Sequence, residues 1–150
     1  CIAKKVEARE HRETINYVLT FEEIMCMLEG KDIKFAEMSG DTAYERDASK
    51  LGLSFPLTAG VSAAVQDTVA AMGGKVHNAQ YCSGLDKCRD TVKAAAAGKL
   101  DCSYIEGMAC SNGCIDGPAA VGDFHITKVA LTKYAAAAPN KQAAEDKHTK

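Results

Sequence analysis

The feature that most constrains this fold is an alternation of short segments rich in β-forming residues with longer segments whose apolar residues have helical spacing. We predict strands at 15–19, 33–35, 75–81 and 101–108, and helices at 20–30, 61–72, 83–98 and 126–138. Strands that alternate with helices of this length are typical of βαβ units. We therefore predict an α/β fold with a small parallel or mixed sheet flanked by helices, in one lobe at 1–138 followed by a polar tail at 139–150.

Local signals place several boundaries of these elements. Thr20 with Glu23 three residues later has the pattern of a capping box, and Ser83 with Asp86 has a similar helix-start pattern. No periodicity extends from Glu37 to Phe55, where Ser49 to Ser54 looks like a loop. We predict an irregular, mobile segment there.

Composition narrows the classes of function. The chain has 150 residues and a net charge of −2, which gives no broad attraction to nucleic acid or to anionic lipid. It has no apolar run long enough to span a membrane and no secretion signal, so we expect a cytoplasmic protein. The sequence opens on Cys1 without an initiator Met, from which we expect a piece of a longer protein.

Seven cysteines are many for such a chain, and their odd number argues against a framework made only of disulfides. Cys110 and Cys114 form the closest pair and follow directly after the predicted strand at 101–108, at the strand end where ligands bind in α/β folds. We predict that this pair binds a metal. Zinc also fits the spacing, but no second close cysteine pair offers the remaining ligands. The other cysteines are interpreted as buried small residues: Cys26, Cys82, Cys88 and Cys102.

Two motifs resemble a known family. The segment from Glu106 to Gly117, Glu-Gly-Met-Ala-Cys-Ser-Asn-Gly-Cys-Ile-Asp-Gly, is similar to the third cluster-binding motif of FeFe hydrogenases, Glu-x-Met-Ala-Cys-x-x-Gly-Cys-x-x-Gly-Gly. The opening segment from Cys1 to Glu7 resembles the second motif, Met-Pro-Cys-x-x-Lys-x-x-Glu, cut at its cysteine. Segments 16–23 and 59–61 also resemble the family, so the resemblance covers residues 1–122 in the family's order.

The resemblance implies one lobe of the hydrogenase catalytic domain and its cofactor, the H-cluster. This cofactor is a 4Fe-4S cubane joined through a cysteine sulfur to a two-iron unit with carbon monoxide and cyanide ligands. The resemblance assigns roles by motif position. Cys1, Cys110 and Cys114 match cubane ligands, with Cys114 as the bridge. Lys4 matches the lysine that donates to a cyanide. Met108 matches an apolar wall beside the two-iron unit, and Glu7 matches the acidic position of the second motif.

The chain also departs from the family pattern. The first motif, Thr-Ser-Cys-Cys-Pro, does not occur in it, and Gly117-Pro118-Ala119-Ala120 replaces the usual Gly-Gly-Gln-Pro. The loss of the glutamine in this replacement resembles divergent monomeric or sensory branches of the family. The resemblance implies an oxidoreductase that interconverts hydrogen with protons and electrons, with an electron carrier such as ferredoxin, or the missing N-terminal part of the same protein, as partner.

Two alternatives remain open at this stage. The protein could instead be an iron–sulfur redox or hydrogen sensor without turnover. The other alternative is that this chain by itself is an α/β lobe without a cofactor and without activity. Glu106 is either a proton relay beside the cysteine loop or a hydrogen-bonding partner of nearby backbone.

Overall fold

The computed structural model describes residues 1–39 and 48–142. These residues form two compact units, Cys1–Tyr44 with Gly117–Gly122, and Glu45–Asp116 with Asp123–Lys150. The elements in chain order are α1 (Ile2–Glu10), α2 (Phe21–Glu29), α3 (Lys50–Leu53), α4 (Gly60–Ala71), β1 (Gln80–Ser83), α5 (Leu85–Ala96), β2 (Ile105–Met108) and α6 (Phe124–Ala136), with 3₁₀ turns at Phe35–Glu37 and Cys114–Asp116.

In the first unit, α2 begins where the sequence predicts it. The Thr20 side chain accepts a hydrogen bond from the backbone N–H of Glu23, and the Glu23 carboxylate accepts one from the N–H of Thr20, so the capping box is present. The backbone C-cap is Gly30, as predicted. This helix therefore owes its start to a local signal that can be read directly from the chain.

The two strands predicted in the first unit are wrong. Residues 15–19 have no regular secondary structure, and Tyr17 is 86% exposed. Phe35 belongs to a 3₁₀ turn that replaces the end of the strand predicted at 33–35. A strand needs a neighbour to pair with, and β-forming side chains do not supply one. In the described part of the chain, the strands are β1 and β2, and they pair with each other.

In the second unit, β1 and β2 form the small parallel sheet that the α/β prediction requires. Their register pairs Gln80 with Ile105 and Ser83 with Met108. The connection between them contains α5, which packs against both strands, so this is a βαβ unit. The predicted strand segments 75–81 and 101–108 locate the two strands, although each strand begins later than predicted.

The remaining helices of the second unit pack through small side chains. Helix α3 packs against α4 and α6. The buried alanines are Ala64 in α4, Ala135 in α6 and Ala138 just after it. Alanine is small enough to let helix backbones approach closely, which suits these three buried positions.

Two boundary predictions are wrong in this unit. Residues 50–53 are helical, because the Ser49 hydroxyl accepts a hydrogen bond from the N–H of Gly52 at 3.0 Å and caps α3. Helix α5 is preceded by Gly84 at φ +93° without a side-chain cap, so Ser83 does not cap it. The other part of the predicted irregular segment, residues 40–47, lies outside the described residues.

Candidate metal centre

The parallel sheet delivers the chain directly to the cysteine loop, which we define as residues 110–116. Strand β2 ends at Met108, and the N–H of Gly84 donates to the Met108 carbonyl at 2.9 Å. Cys110 therefore lies two residues beyond the carboxyl end of a paired strand. This is the edge at which parallel sheets place their ligand-binding loops.

A second segment, Pro56-Leu57-Thr58, holds the cysteine loop through its backbone. The N–H of Cys114 donates to the Pro56 carbonyl at 2.8 Å, and Leu57 forms an isolated antiparallel bridge with Gly113. Within the loop, the N–H of Gly113 donates to the Cys110 carbonyl at 3.2 Å. The backbone of the Cys114 end of the loop is thus fixed by contacts made outside the motif.

Gly113 is the position where this contact requires glycine. Its φ is +89°, and a Cβ built on it would lie 2.5 Å from the Pro56 oxygen and 2.9 Å from the Thr58 nitrogen. Any side chain would be both strained and in steric conflict with backbone, which cannot move away cheaply. The glycine between the two cysteines of the motif is explained by this close approach.

A side-chain hydrogen bond closes the other side of the loop. Asn112, at φ +66°, donates from Nδ2 to the Asp116 carboxylate at 2.9 Å. Cys114 to Asp116 form a 3₁₀ turn. Asparagine tolerates the left-handed region better than most residues, because its short polar side chain can bond locally.

Glu106 connects β2 to the start of α4. Its buried carboxylate accepts hydrogen bonds from the N–H of Ala59 at 2.9 Å and from the N–H of Ser62 at 2.6 Å. The N-cap residue of α4, Ala59, has no side-chain cap and lies at φ +68°. A carboxylate 47 residues away in sequence therefore supplies the cap that the local sequence lacks. Of the two interpretations of Glu106, the structure supports the backbone-binding one.

This cap also fixes the Pro56-Leu57-Thr58 segment, because that segment leads straight into Ala59. The Tyr104 hydroxyl donates to the Ser62 carbonyl at 3.0 Å, which ties the same helix start to the residue before β2. Gly60 is needed here, since a Cβ on it would lie 2.0 Å from the Ser54 oxygen. Sequence reasoning missed Pro56 and Gly60 as supporting residues of the site.

The residues predicted from the second motif lie on α1, in the first unit. Cys1 is the N-cap residue and is exposed, with its thiol free. Lys4 and Glu7 form an exposed ion pair one turn apart. The hydrogen bond from Lys4, and then its charge, lower the pKa of Glu7.

Lys5, the neighbour of Lys4, makes the contacts that tie α1 to the rest of the first unit. Its ammonium lies 2.8 Å and 2.7 Å from the two Glu23 oxygens and donates to the Val18 carbonyl at 2.9 Å. The hydrogen bond from Lys5 is also the largest cause that lowers the pKa of Glu23. Sequence reasoning missed Lys5, because its partners are 13 and 18 residues away.

The structure thus brings Cys110 and Cys114 into one supported loop, close after Met108 in the chain, and places Cys1, Lys4 and Glu7 together on one short helix. The two cysteines are free thiols, Cys110 partly buried and Cys114 exposed. Across residues 1–39 and 48–142, no group of three or more His, Cys, Asp or Glu side chains is arranged to hold a metal ion.

A comparison with protein families identifies the fold's relatives. The model of the iron only hydrogenase large subunit, C-terminal domain, matches residues 1–118. The chain belongs to this family. The match includes both cysteine motifs and ends just after the cysteine loop. No curated protein matches the chain.

Within this hydrogenase family the expected cofactor is an iron–sulfur cluster, and the donor set of the cysteine loop fits it. Thiolates are the soft ligands that iron–sulfur clusters use, and two of them four residues apart supply half of a four-cysteine set.

The cysteines that sequence reasoning treated as buried small residues divide into two kinds. Cys82 is buried, and Cys88 and Cys102 are partly buried. Cys26 is exposed, so the prediction for it is wrong. Helix α2 has no buried residue, which leaves its apolar stripe and Cys26 at the surface of the first unit.

Proposed function

We propose that this chain supplies Cys1, Cys110 and Cys114 as ligands of an H-cluster in an FeFe hydrogenase-like oxidoreductase that interconverts hydrogen with protons and electrons. One observation carries the proposal. In a chain of the iron-only hydrogenase family, the two cysteines of one motif lie on a loop that a parallel strand delivers and that Pro56 holds by backbone hydrogen bonds.

The cluster, when bound, supplies the sites at which electrons are stored and hydrogen is bound. This chain's residues hold and surround it. Cys110 and Cys114 act as thiolate ligands, with Cys114 as the bridge to the two-iron unit. Met108 acts as an apolar wall that keeps water out of the pocket.

Lys4 acts as a hydrogen-bond donor to an anionic ligand of the cluster. Its ammonium is exposed and paired with Glu7, so it exchanges or shares this partner when the cluster is present. Glu7 holds the Lys4 side chain in a defined direction until then. Apart from the ligand Cys1, the other residues of the second motif have no assigned chemical role.

A sensor of redox state or of hydrogen is the second candidate. It is favoured by Pro118-Ala119-Ala120, which replaces the family's Gly-Gln-Pro after the last cysteine. Loss of a polar glutamine beside the cluster removes a side chain that could hydrogen-bond there. A sensor would bind the same cluster through the same cysteines without turnover.

We further propose an electron carrier such as ferredoxin, or a further segment of the same protein, as partner. The exposed apolar side chains of the first unit support a covering segment, among them Phe21, Met25 and Met27 on α2. All seven cysteines are free, which is consistent with a reducing cytoplasm, the location we propose. Every helix in the described ranges is too short or too polar to cross a lipid bilayer.

Anaerobic reconstitution of the 150-residue chain with iron and sulfide tests the ligand assignment. We expect sub-stoichiometric, labile iron and no hydrogen evolution, because three thiolates do not complete a cubane. The measurements are iron and sulfide per chain and the rate of iron loss to a chelator. Robust hydrogen turnover by this chain alone would contradict our division of the ligands.

Cysteine variants locate the iron. Cys110→Ala and Cys114→Ala should each lower the iron retained, whereas Cys102→Ala, a partly buried cysteine outside both motifs, should not. In a protein that also carries the first motif, Cys114→Ala should remove the two-iron unit. Normal activity of that variant would eliminate the bridging role.

A further inference from the structure

A second cysteine pair lies beside β2, outside the proposed ligand set. Cys82 is in β1 and Cys88 is in the first turns of α5, and their sulfur atoms lie 3.4 Å apart. The Cys82 sulfur lies 3.5 Å from the Glu106 carbonyl oxygen, and the Cys88 sulfur lies 3.4 Å from that of Met108. The βαβ crossover therefore brings two thiols into contact that are six residues apart in the chain.

Gly107 makes room for this pair. A Cβ built on Gly107 would lie 3.5 Å from the Cys88 sulfur and 3.9 Å from the Cys82 sulfur. The two thiols consequently sit over the one position of β2 that has no side chain.

Cys82 is buried, with 8% of its surface exposed, but it borders a cavity that opens to solvent. It lines an open cavity of about 480 Å³ together with Thr58, Tyr81, Ser83, Lys87 and Asp90. A cavity of this size is in the range of small-molecule sites. Its wall carries one cation, Lys87, and one anion, Asp90, which can pair with the carboxylates and the ammonium of a glutathione-type molecule.

We propose that Cys82 and Cys88 form a dithiol redox site that is oxidised to a disulfide by a low-molecular-weight disulfide of the glutathione type. The Cys82 thiolate attacks one sulfur of the oxidant, which gives a mixed disulfide at Cys82 and releases one thiol. The Cys88 thiolate then attacks the Cys82 sulfur and releases the second thiol. Two protein thiols lose two protons and two electrons, and one disulfide is reduced to two thiols.

Cys82 rather than Cys88 lines the open cavity, which favours this order of attack. A disulfide bond is about 2.05 Å long, so the two sulfurs need only a small approach from their present contact. Partial burial, followed by the hydrogen bond with Cys82, raises the pKa of the Cys88 thiol. Cys88 is thus a poor first nucleophile toward a dissolved oxidant. In the second step the low reactivity of Cys88 matters less, because Cys88 already contacts Cys82 and the attack is intramolecular.

The oxidised state should be compatible with the fold. Oxidation removes the two S–H groups near the Glu106 and Met108 carbonyls, but Met108 keeps its hydrogen bond from the N–H of Gly84 at 2.9 Å. Strands β1 and β2 also remain paired through their own ladder. We therefore expect oxidation to remove two electrons from a site next to the strand that leads to the cysteine loop, without loss of the sheet.

The test uses the reduced, cluster-free 150-residue chain, incubated anaerobically with glutathione disulfide. The remaining thiols are then blocked with N-ethylmaleimide, and trypsin fragments are analysed by mass spectrometry. Trypsin cuts after Lys75, Lys87 and Arg89, so Cys82 and Cys88 fall in separate fragments, 76–87 and 88–89. We expect these two fragments to be recovered joined by a disulfide in most of the chains.

Two variants separate the roles of the thiols. Cys88→Ser should trap glutathione on Cys82, whereas Cys82→Ser should leave Cys88 mostly free to react with N-ethylmaleimide. Cys102→Ser is the matched control and should still give the joined fragments. The circular dichroism spectrum of each variant shows whether it has folded.

The proposal would be overturned if Cys82 and Cys88 were both found blocked by N-ethylmaleimide in a sample in which Cys110 and Cys114 are oxidised. Glutathione trapped on Cys88 rather than Cys82 would overturn the order of attack. The site uses neither Cys1, Cys110 nor Cys114. Its failure would therefore leave the iron measurements unaffected, and a failure to bind iron would leave this dithiol intact.

Discussion

The first and second units support their candidate ligands in different ways. In the second unit the cysteine loop is attached by backbone hydrogen bonds to Pro56 and to its own turn, behind a paired strand. In the first unit, Cys1 stands at the start of a nine-residue helix that is tied down by the side chain of Lys5. The cysteine loop is thus held by its backbone, whereas the helix that begins after Cys1 is held by a side-chain contact.

Two motifs that are both recognisable in the sequence can thus differ in how firmly the structure holds their residues. A close contact between two backbone segments excludes every residue with a side chain, as at Gly113, because the backbone atoms of Pro56 and Thr58 cannot easily move away. Exposed ion pairs contribute little to stability, because water and salt compete with them. We therefore expect a substitution that breaks a buried contact of the second unit to lower the free energy of unfolding more than one that breaks an ion pair of the first unit.

The largest effect is expected for Gly113→Ala. The added Cβ would be 2.5 Å from the Pro56 oxygen at a φ of +89°, so the free energy of unfolding of the second unit should fall by about 3 kcal/mol. The measurement is urea unfolding followed by circular dichroism.

Gly98→Ala is the matched control for this change. Gly98 has a φ of +68°, but nothing lies within 4 Å of its Cβ position. The Gly98→Ala variant should lower the free energy of unfolding by about 1 kcal/mol, from backbone strain alone. Equal losses in the two variants would show that Pro56 does not clamp the cysteine loop.

A smaller loss is expected for Glu106→Gln. Glutamine keeps one acceptor oxygen but turns an NH₂ group toward a backbone N–H, at Ala59 or Ser62, and a buried unsatisfied donor costs about 1–3 kcal/mol. Hydrogen exchange at the amides of Ala59 and Ser62 should become faster, and the urea midpoint should fall.

Asp101→Asn is the control for the buried carboxylate. The Asp101 side chain is 88% exposed and faces His77. We expect a change within about 0.5 kcal/mol. If this variant lost as much stability as Glu106→Gln, the capping role of Glu106 would be refuted.

The smallest effect is a pH dependence in the first unit. The hydrogen bond from Lys5, followed by that from the Thr20 N–H, lowers the pKa of Glu23 below its usual 4.5. A lowered pKa in the folded state stabilises the fold above about pH 4.5, and this contribution is lost as the pH falls through the folded value. Stability should therefore decrease on acidification, and Glu23→Gln should weaken this decrease.

Glu22→Gln is the control, since it removes a carboxylate from the same helical turn and leaves the capping box intact. Thermal unfolding between about pH 3 and pH 7 covers the window in which carboxylates titrate. A wild-type chain whose first unit unfolds at the same temperature across this range would contradict the assigned Lys5–Glu23 contact.

The fold was predictable where a local signal and a tertiary partner coincide. The capping box at Thr20, the helix that ends before Gly73 and the strand leading to Met108 are all present. The segments at 15–19 and 33–35 have β-forming residues but no partner strand, so their prediction failed. Propensity describes what a segment tolerates, whereas pairing depends on the rest of the molecule.

The candidate site was predictable in the same uneven way. Cys110 and Cys114 follow from spacing and from a strand that precedes them. Pro56, Glu106 in its capping role and Lys5 depend on contacts across many residues, for which no local pattern exists. The Cys82–Cys88 contact likewise needs the crossover between the two strands.

The amino-acid sequence by itself determined the hydrogenase family, the α/β class and the cysteines of the two motifs, because these depend on residue identity and short-range spacing. Only the tertiary structure decided which backbone holds the cysteine loop, which carboxylate caps α4 and which thiols touch. The physical reason is that hydrogen bonds and steric contacts act over a few ångströms in space, at any separation along the chain.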